Sequence, residues 1–535
     1  MNSSGHQDHQ DQNILDALRR HVACRPEAPA YRSGDELLSF ANVEQTTNQI
    51  ANALAAMNVG AGDRVACLTR HHVPCLLLML AACKLGAVCM PVNWRLAAGE
   101  VAQILEHGQA KFAMVDAAFI GLVQAQADGG TDGTLQKLVC TDGSLERVER
   151  FAAWYASHDT SFTAVAARPD DAALQLYSSG TTGLPKGVVL SHRGLLSASR
   201  AVAQAWKVDG ASVIGNPLPT FHVAGTSMLL LSLYTGAQSS TFSEFAAASF
   251  IRDIAAHGIT HCFLVPVMLM FMLQRPEAAQ GNYRSLKLIS YGAAPISETV
   301  LRESMRMFQC DFLQVYGLTE VSGPATFLMP ADHRASESQP ELLRSVGQAI
   351  EGAWLRIVDP ASLADVPDGV TGEVLIEAAG NLKEYWRDTV ATSQAFPEGR
   401  NERGGWFRTG DAGYLKDGYL FINDRIKDMI ISGGENIYPA EIENLLMNHP
   451  AVADGAIIGV PDTTWGEAVK ACVVLKPGQQ VSERDIIDWM RERLAHFKCP
   501  KTVDFVGSLP RNPSGKLLKR VLREPYWAGK TRSVA

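Results

Sequence analysis

Short apolar segments alternate with segments of helical periodicity over the first 170 residues of the chain. Strands are predicted at 64–69 and 88–92, and a buried helix is predicted between them at about 74–84. A second stretch of the same kind runs from 174 to about 327. The strands predicted in it are 174–177, 286–290 and 312–316. Strands that alternate with helices are typical of layered α/β domains, so we expect that fold class here.

The pattern changes at about residue 354, where short β segments begin and continue to 422. Asp417-Gly418 lies between two of these segments, and this dipeptide is typical of a two-residue hairpin turn. A β-rich subdomain is therefore expected after the α/β layers.

A small α+β unit is predicted beyond Lys427. One helix is expected at 439–447, with proline in its first turn, and another from Ser482 to about 495, opened by a capping box with Asp485. The charged junction before this unit has no Gly/Ser linker, which indicates a short hinge.

Length and composition limit the class of protein. The chain has 535 residues, 47% hydrophobic and 19% charged, which is typical of a globular protein of more than one domain. Its 56 acidic and 48 basic residues give a net charge of −8, which argues against a nucleic-acid partner. The 10 cysteines form no CxxC pair, which favours reduced thiols and a cytoplasmic location.

Neither a targeting signal nor an integral membrane segment is predicted. The N-terminal residues are polar, whereas a signal peptide needs a basic region followed by an apolar one. The most apolar stretch, 73–92, is interrupted by Pro74, Lys84 and Gly86, and a spanning helix needs about 20 largely uninterrupted apolar residues.

The most informative segment is the loop at 177–187, which is rich in hydroxyls and glycines. Backbone N–H groups and hydroxyls at this density suit phosphate oxygens, although a plain polar hairpin is the alternative. The segment is not a Walker A motif, because Pro185 stands before the lysine and 188–190 predicts a strand. Its candidate ligand-binding residues are Ser178, Ser179, Gly180, Thr181, Thr182, Gly183 and Lys186.

This loop resembles the phosphate loop of the adenylate-forming superfamily, which includes acyl-CoA synthetases, peptide-synthetase adenylation domains and luciferases. Seven further motifs follow in the family's order, so the resemblance covers nearly the whole chain. They are PTFHVAG at 219–225, YGAAP at 291–295, YGLTE at 316–320, FRTGD at 407–411, DRIKD at 424–428, GGENIYP at 433–439 and PSGK at 513–516.

The resemblance implies an α/β fold with a large N-terminal domain of layered α/β subdomains and a β-rich subdomain, followed by a small mobile α+β domain. The boundaries expected are 1–424 for the AMP-binding domain, 425–427 for the hinge and 428–535 for the C-terminal lid. Lys427 matches the hinge position. A homodimer is expected only because the chain resembles this family.

The activity implied is that of an acid–thiol ligase with ATP, Mg²⁺ and coenzyme A. A carboxylic acid and ATP would give an acyl-adenylate and pyrophosphate, and CoA would then displace AMP to form the thioester. One alternative is an acyl-AMP ligase that delivers to a carrier protein. Another is a non-catalytic nucleotide-binding protein, which would be expected to lack Lys516, Glu320 or the phosphate loop, and all three are present.

Glu320 and Lys516 are the residues expected to carry adenylation. A glutamate suits Mg²⁺, which prefers hard oxygen ligands, although Glu320 could also be a helix N-terminal charge. By family position Lys516 bridges the carboxylate and the α-phosphate, while Thr181 and Thr319 contact phosphates. For the basic residues that follow, such as Lys519, Arg520 and Arg523, a solvated face is the default expectation.

The nucleotide site is implied by family position. Asp411 would accept the ribose hydroxyls, and Arg425 would be its partner at the ribose or phosphate. Tyr316 would offer a ring face to adenine, with backbone on the other side. The remaining residues expected there are Gly292, Ala293, Ala294, Pro295 and Gly317.

The acyl pocket is placed in the same way. His222 would gate and orient the acid, although a lone histidine is more often structural. The other residues expected in the lining are Val223, Ala224, Thr226, Gly292, Gly317, Val321 and Ser322. None of them is basic, so an apolar monocarboxylate, fatty or aryl, is expected, with its length and aromaticity open. Gly433 and Gly434 would let a pantetheine arm pass close to the backbone.

Overall fold

The structure is a computed structural model that describes residues 11–123, 134–142, 148–178, 185–433, 435–511 and 517–528. Several predicted site residues lie outside these ranges. They are Ser179, Gly180, Thr181, Thr182, Gly183, Gly434 and Lys516.

The first α/β layer is built on an eight-stranded sheet in the described part of the chain. The strands in spatial order are Glu384–Tyr385, Lys186–Ser191, Ala172–Ser178, Val88–Pro91, Arg64–Leu68, Ala110–Val115, Lys137–Cys140 and Glu149–Arg150. The strands from Ala172–Ser178 to Glu149–Arg150 run parallel, and the other two pairings are antiparallel. Its inner strands are apolar because helices cover both faces.

The second layer is a nine-stranded sheet within the described residues. Its strands in spatial order are Gln348–Ala349, Gly323–Leu328, Asp311–Leu318, Leu288–Gly292, His261–Leu264, Val213–Asn216, Gln238–Thr241, Pro29–Ser33 and Glu36–Ser39. The central pairs, from Asp311–Leu318 to Pro29–Ser33, are parallel. The carboxyl ends of these strands therefore meet at one edge.

Helices pack on these two sheets, and their boundaries follow from capping and burial. Helix Phe40–Ala56 begins at a capping box of Ser39 with Asn42 and packs on the apolar helix His72–Leu85, which ends at Gly86 with φ of 70°. The other described α-helices before the hinge are Ile14–Cys24, Ala98–Gly108, Phe151–Ala156, His192–Trp206, Val223–Thr235, Ala247–Ala256, Pro266–Leu273, Pro276–Gln280, Glu298–Phe308, Pro330–Ala335 and Thr389–Ala395. Short 3₁₀ helices span Ala117–Leu122, Thr319–Val321, Pro340–Arg344 and Ile426–Asp428.

The β-rich subdomain is a four-stranded antiparallel sheet of Ala353–Val358, Gly372–Ala378, Trp406–Lys416 and Tyr419–Arg425. The predicted hairpin turn is confirmed: Asp417 and Gly418 have φ of 53° and 79°, the left-handed pair that a type I′ turn requires.

The C-terminal unit has a five-stranded sheet and three α-helices in its described part. Its strands are Glu435–Ile437, Ile430–Ser432, Gly466–Leu475, Val452–Asp462 and Thr502–Phe505, and its helices are Pro439–Leu446, Glu483–Arg491 and Lys519–Trp527. The capping box of Ser482 and Asp485 is present. The helix that it opens ends at Arg491 instead of 495, because a tight turn through Met490 O closes it there.

Separate hydrophobic cores support the two parts of the molecule. The buried clusters described before residue 425 draw on residues 14–420, whereas those of the C-terminal unit begin at Ile430. The predicted fold class, a large α/β part and a small α+β part, is confirmed. Among the described residues, no helix combines the length and apolarity needed to cross a membrane.

Candidate active site

The two large sheets meet at Glu320. This residue lies in the 3₁₀ turn that follows strand Asp311–Leu318, and Ser178 ends a strand of the other sheet. Ser178 Oγ donates a hydrogen bond of 3.1 Å to Glu320 Oε1, and Tyr385 OH donates a longer one of 3.4 Å to the same oxygen. One carboxylate oxygen of Glu320, which follows a strand of the nine-stranded sheet, is thus held by two residues of the eight-stranded sheet. The second oxygen has no hydrogen bond among those that the described residues show.

Lys186 lies at the same place. It pairs with Ser178 across the antiparallel strands that flank the predicted phosphate loop, so the two residues mark the loop's two ends. Its Nζ is 4.8 Å from the centroid of the Tyr385 ring. A strand follows the loop, as predicted. The structure therefore brings a lysine, a hydroxyl and a carboxylate to one end of the sheet.

Asp411 is the centre of a second polar cluster. Tyr316 OH donates to its Oδ2 at 2.6 Å and Arg425 Nε donates to its Oδ1 at 2.7 Å. Arg425 is placed there because it pairs with Asp411 across the hairpin, and its Nη1 also donates to Thr409 O at 2.9 Å. The Asp411 side chain is buried. Burial, and after it the Asp411 charge, raises the pKa of Tyr316 well above its ordinary value.

Backbone segments approach each other closely beside this cluster. A Cβ on Gly292 would lie 2.2 Å from Val315 O, and one on Gly317 would lie 1.7 Å from Gly323 O, so neither position can hold a side chain. Ala293 adopts φ of 66°, a left-handed conformation that is strained for alanine. Ala294 and Pro295 complete the turn out of strand Leu288–Gly292. Strain of this kind collects at ligand sites.

His222 stands immediately before helix Val223–Thr235, with its ring 4.6 Å from that of Phe221. Its Nε2 is enclosed and has no hydrogen-bond partner in the described part of the protein. Burial, and after it the charge of Arg95, lowers the pKa of His222 to about 4. The ring is therefore neutral at pH 7. An enclosed nitrogen without a partner costs about 1–3 kcal/mol, which a ligand could recover.

The predicted acyl lining divides into two groups. Val223 and Ala224 are half-buried beside His222. The other three side chains are buried, and their polar atoms are already used: Thr226 Oγ1 donates to Thr220 O at 2.6 Å and Ser322 Oγ to Gly380 O at 2.7 Å. Together with Val321 they form the packed layer behind the half-buried residues.

The expected solvated face after residue 516 is wrong for Lys519 and Arg523. Lys519 is 9% exposed, and its Nζ lies 3.2 Å from Asp424 Oδ2 and 3.0 Å from Glu443 Oε1. Although burial opposes its charge, the carboxylates of Glu443 and Asp424 raise the pKa of Lys519. No local sequence pattern signals the burial of Lys519, because its carboxylate partners are distant along the chain.

Arg523 and the hinge region are connected in the same way. Arg523 Nη1 lies 2.9 Å from Asp428 Oδ1 and donates to Lys427 O at 3.4 Å. Lys427 itself lies in the 3₁₀ turn that joins the two parts of the molecule. Arg520, by contrast, is exposed as expected.

Gly433 has φ of 61°, and a Cβ there would lie 2.8 Å from the Trp465 ring. This is a close approach that only glycine allows without strain.

Tyr385 is the contact residue that sequence reasoning missed. It follows Glu384 in a two-residue strand and reaches Glu320 from 65 positions away. Only the pairing of that strand with Lys186–Ser191 brings it there, and no local pattern signals this pairing.

The fold and this polar edge define a class of protein, and comparison with known families identifies it. Residues 18–386 match the family described as AMP-binding enzyme, and residues 441–516 match the AMP-binding enzyme C-terminal domain. The chain belongs to this family and is an adenylate-forming acid ligase. The resemblance predicted from the motifs is confirmed.

Relatives and solved structures agree with this class. The chain is 38% identical over 531 residues to a fatty acid–[acyl-carrier-protein] ligase of Streptomyces coeruleorubidus, with 98% of each covered. It is 38% identical over 527 residues to a long-chain-fatty-acid–CoA ligase of Mycobacterium tuberculosis, which covers 96% of this chain and 99% of that one. ATP-bound MatB from Rhodopseudomonas palustris is 30% identical with a TM-score of 0.87, covering 96% of this chain and 99% of MatB.

Proposed function

We propose that the protein is an ATP-dependent acid–CoA ligase that activates an apolar monocarboxylate, a fatty or aryl acid. The observation that carries this proposal is the convergence of Glu320, Ser178 and Lys186 at one sheet edge. These groups suit a triphosphate, and His222, which family position places at the acyl pocket, suits a carboxylic acid.

Two displacements make up the proposed reaction. A carboxylate oxygen attacks the α-phosphorus of ATP, a new P–O bond forms, and the bond to pyrophosphate breaks. The CoA thiol then loses its proton to solvent and attacks the acyl carbon as the thiolate, so that a C–S bond forms, the C–O bond to the phosphate breaks and AMP leaves. No protein nucleophile is needed, and the chain supplies positioning and fixed charge.

The nucleotide would be held by the cluster around Asp411. A carboxylate has about four lone-pair sites, so Asp411 can keep Tyr316 and Arg425 as partners and still accept from ribose hydroxyls. Gly292, Ala293 and Gly317 would let backbone pack against the base. Thr181, Thr319 and Lys186 would contact phosphate oxygens, and Lys516 would bridge the carboxylate and the α-phosphate.

Glu320 is the residue that would hold Mg²⁺, together with phosphate oxygens of ATP. The donor fits, because Mg²⁺ takes one or two carboxylates plus substrate phosphate and Glu320 Oε2 has no hydrogen bond among those described. When bound, the ion supplies positive charge at the phosphates. Ser178 and Tyr385 hold the other carboxylate oxygen and so fix the direction of Glu320.

The class of acid is inferred from the surroundings of His222. The neutral ring presents an unpaired nitrogen to the substrate beside Phe221, Val223 and Ala224, which add apolar surface. Arg95 is close enough to influence His222, and its guanidinium lies 4.5 Å from the Trp94 ring centroid and 5.9 Å from that of Phe221. The apolar side chains beside His222 favour a carboxylic acid with an apolar remainder.

The acceptor is proposed to be CoA, with Gly433, which approaches Trp465 closely, beside the thiol's path. Gly434 is included by family position alone. Delivery to a carrier protein is the second candidate, because a relative at 38% identity is named a fatty acid–[acyl-carrier-protein] ligase. A homodimer and a cytoplasmic location stay predictions, which size-exclusion chromatography with light scattering and cell fractionation would test.

A pyrophosphate-release screen tests the proposal. Fatty, aryl, short branched and dicarboxylic acids are each assayed with ATP and Mg²⁺, alone, with CoA, and with a phosphopantetheinylated carrier protein. We expect release with apolar monocarboxylates and a thioester with CoA. A thioester with the carrier protein but not with CoA would favour the second candidate. If no acid led to pyrophosphate release from ATP, the proposed ligase function would be contradicted.

A pair of variants separates the two half-reactions. Lys516→Ala should abolish adenylation and largely spare thioester formation from supplied acyl-AMP. Gly434→Leu should do the reverse, because a bulky side chain would obstruct the thiol. In the proposed mechanism the C-terminal unit rotates about Lys427 after the acyl-adenylate forms, which removes Lys516 and brings Gly433 and Gly434 to the thiol. Equal loss of both steps in both variants would contradict this two-conformation mechanism.

A further inference from the structure

Three cysteine thiols lie together in the core of the first α/β layer, and none of them belongs to the polar site described above. Cys67 and Cys89 are on the adjacent parallel strands Arg64–Leu68 and Val88–Pro91, and Cys75 is on helix His72–Leu85. Their sulfur atoms all lie within 4.8 Å of one another, and Cys67 Sγ and Cys75 Sγ are 3.2 Å apart.

The fold explains this convergence. The strand register places Cys89 opposite Val65, so Cys67 is two residues along on the same face. The same buried cluster holds Val65, Cys67 and Cys89, whereas Ala66 and Leu68 belong to the cluster on the other side of the sheet. The helix that covers this face brings Cys75 to the two strand thiols. The exposed fractions of the three residues are 1%, 3% and 0% in chain order.

The spacing fits a metal ion. Metal–thiolate bonds are about 2.3 Å long, so three sulfurs around one ion in a plane would stand about 4.0 Å from one another. The observed sulfurs need to shift by less than about 1 Å to reach this arrangement. Thiolates select soft ions such as Cu(I) and zinc over magnesium or calcium.

We propose that Cys67, Cys75 and Cys89 form a buried three-thiol binding site for a soft monovalent metal ion, with Cu(I) as the ion tested. Among the described residues no histidine, aspartate or glutamate completes a four-ligand group with these thiols. Three-coordination suits Cu(I), whereas structural zinc sites take four ligands. Each thiol that coordinates releases its proton to solvent, and neither the copper nor the sulfur changes oxidation state.

The site is connected to the candidate acyl pocket. His72, in the helix turn before Cys75, approaches Leu218 O through Nε2 at 2.6 Å. Leu218 precedes the segment 219–225 that contains His222. Occupancy of the thiol site would therefore stabilise the base of this segment.

The test is anaerobic competition for Cu(I) between the purified full chain and the chromogenic chelator bicinchoninate, followed until equilibrium because the ion must wait for local opening. We expect one tightly held Cu(I) per chain and a raised thermal midpoint on loading. Cys75→Ala should lower the affinity at least tenfold and remove the thermal shift. Cys262→Ala, which removes a buried thiol outside the cluster, should change neither the Cu(I) affinity nor the thermal shift. Cys24→Ala, which removes the exposed thiol, should also leave both unchanged.

X-ray absorption on the loaded wild-type chain keeps the proposal testable if Cys75→Ala fails to fold. Three sulfur neighbours would support the site. Nitrogen or oxygen neighbours, or tight binding that depends on Cys24, would overturn it. Activity is not the readout, so failure here would leave the proposed ligase function unaffected.

Discussion

Asp411 has both carboxylate oxygens engaged before a ligand binds, by the Tyr316 hydroxyl and the Arg425 guanidinium. The two donors fix the direction of its remaining lone pairs, so the residue is ready to accept hydrogen bonds without rearranging. Because the Asp411 side chain is buried, its negative charge strengthens these hydrogen bonds, which a neutral side chain of the same shape would not do.

Asp411→Asn should therefore raise the KM for ATP about 10- to 100-fold, since hydrogen bonds to a charged group contribute about 1.5–3 kcal/mol. Steady-state kinetics with varied ATP measures this change. Asp417→Asn makes the same chemical change in the exposed hairpin turn, where asparagine tolerates the left-handed φ of 53°. An equal effect of the two variants would contradict the assigned role of Asp411.

His222 makes stability depend on pH. Its pKa in the folded protein is about 4, against about 6.5 when unfolded, so between these values the unfolded chain binds the extra proton. Stability is therefore unaffected above about pH 7 and is lost as pH falls towards 4. Linkage gives a loss of about 2 kcal/mol at pH 5 from this group.

Between pH 7.5 and pH 5, His222→Asn should lose less free energy of unfolding than the wild type, by the amount attributed to His222. Urea unfolding at both pH values measures this difference. His71→Asn is the control, because 37% of the His71 side chain is exposed in the folded protein. If the wild type and His222→Asn lose stability in parallel, the ring is not the titrating group.

Ion pairs hold helix Lys519–Trp527 against residues 424–443. Lys519 pairs with Asp424 and Glu443, and Arg523 pairs with Asp428, so the helix is joined to residues on both sides of the 3₁₀ turn. Asp424 also accepts from Ala440 N at the start of helix Pro439–Leu446. The last helix and the hinge are thus one connected polar network.

Lys519→Met should destabilise this element by about 3–5 kcal/mol, because it leaves two largely buried carboxylates without their cation. Amide hydrogen exchange over 519–527 should accelerate, and adenylation should slow, since Lys516 lies three positions before the helix. Arg520→Met, at the next position, which is exposed, should change neither the exchange rate of the helix nor the rate of adenylation. Similar exchange in the two variants would show that the ion pairs do not hold the helix.

Elements were predictable from sequence where a local pattern determines them. The short apolar segment at 64–69 predicted the strand that spans Arg64–Leu68, and the turn chemistry of Asp417-Gly418 predicted the hairpin. Strand Leu288–Gly292 begins two residues later than expected, because Leu286 N bonds to Tyr283 O in a turn. Contacts between distant segments, such as Tyr385 with Glu320 or Lys519 with Asp424, had no local signal at all.

The clustering of some candidate site residues was predictable for a different reason. These residues lie in motifs whose order resembles a family, and the structure brings Glu320 to Ser178 and Asp411 to Arg425. The division of the acyl lining was not predictable, because burial of Thr226 and Ser322 depends on carbonyls of other loops. A motif identifies a position, whereas the packing around it decides which atoms stay available.

At the scale of the whole molecule, the two separate cores matter for a mechanism in which the parts rotate. A unit that changes its orientation must keep its own packing, and the C-terminal unit has a core that begins at Ile430. The polar network at the hinge can exchange partners with water more readily than an apolar interface can. The architecture is therefore suited to rearrangement between two half-reactions.

Separate cores predict that the chain unfolds in two transitions, since multidomain proteins commonly depart from two-state unfolding. Leu446→Ala, in the C-terminal core, should move only the smaller transition, by about 2–5 kcal/mol, and Leu229→Ala should move only the larger one. ATP should stabilise the larger transition more than the smaller one, because Lys516 is the one residue proposed to hold ATP that lies beyond residue 427. Calorimetry and urea unfolding measure both transitions, and a single transition that both variants shift would show that the two parts fold as one.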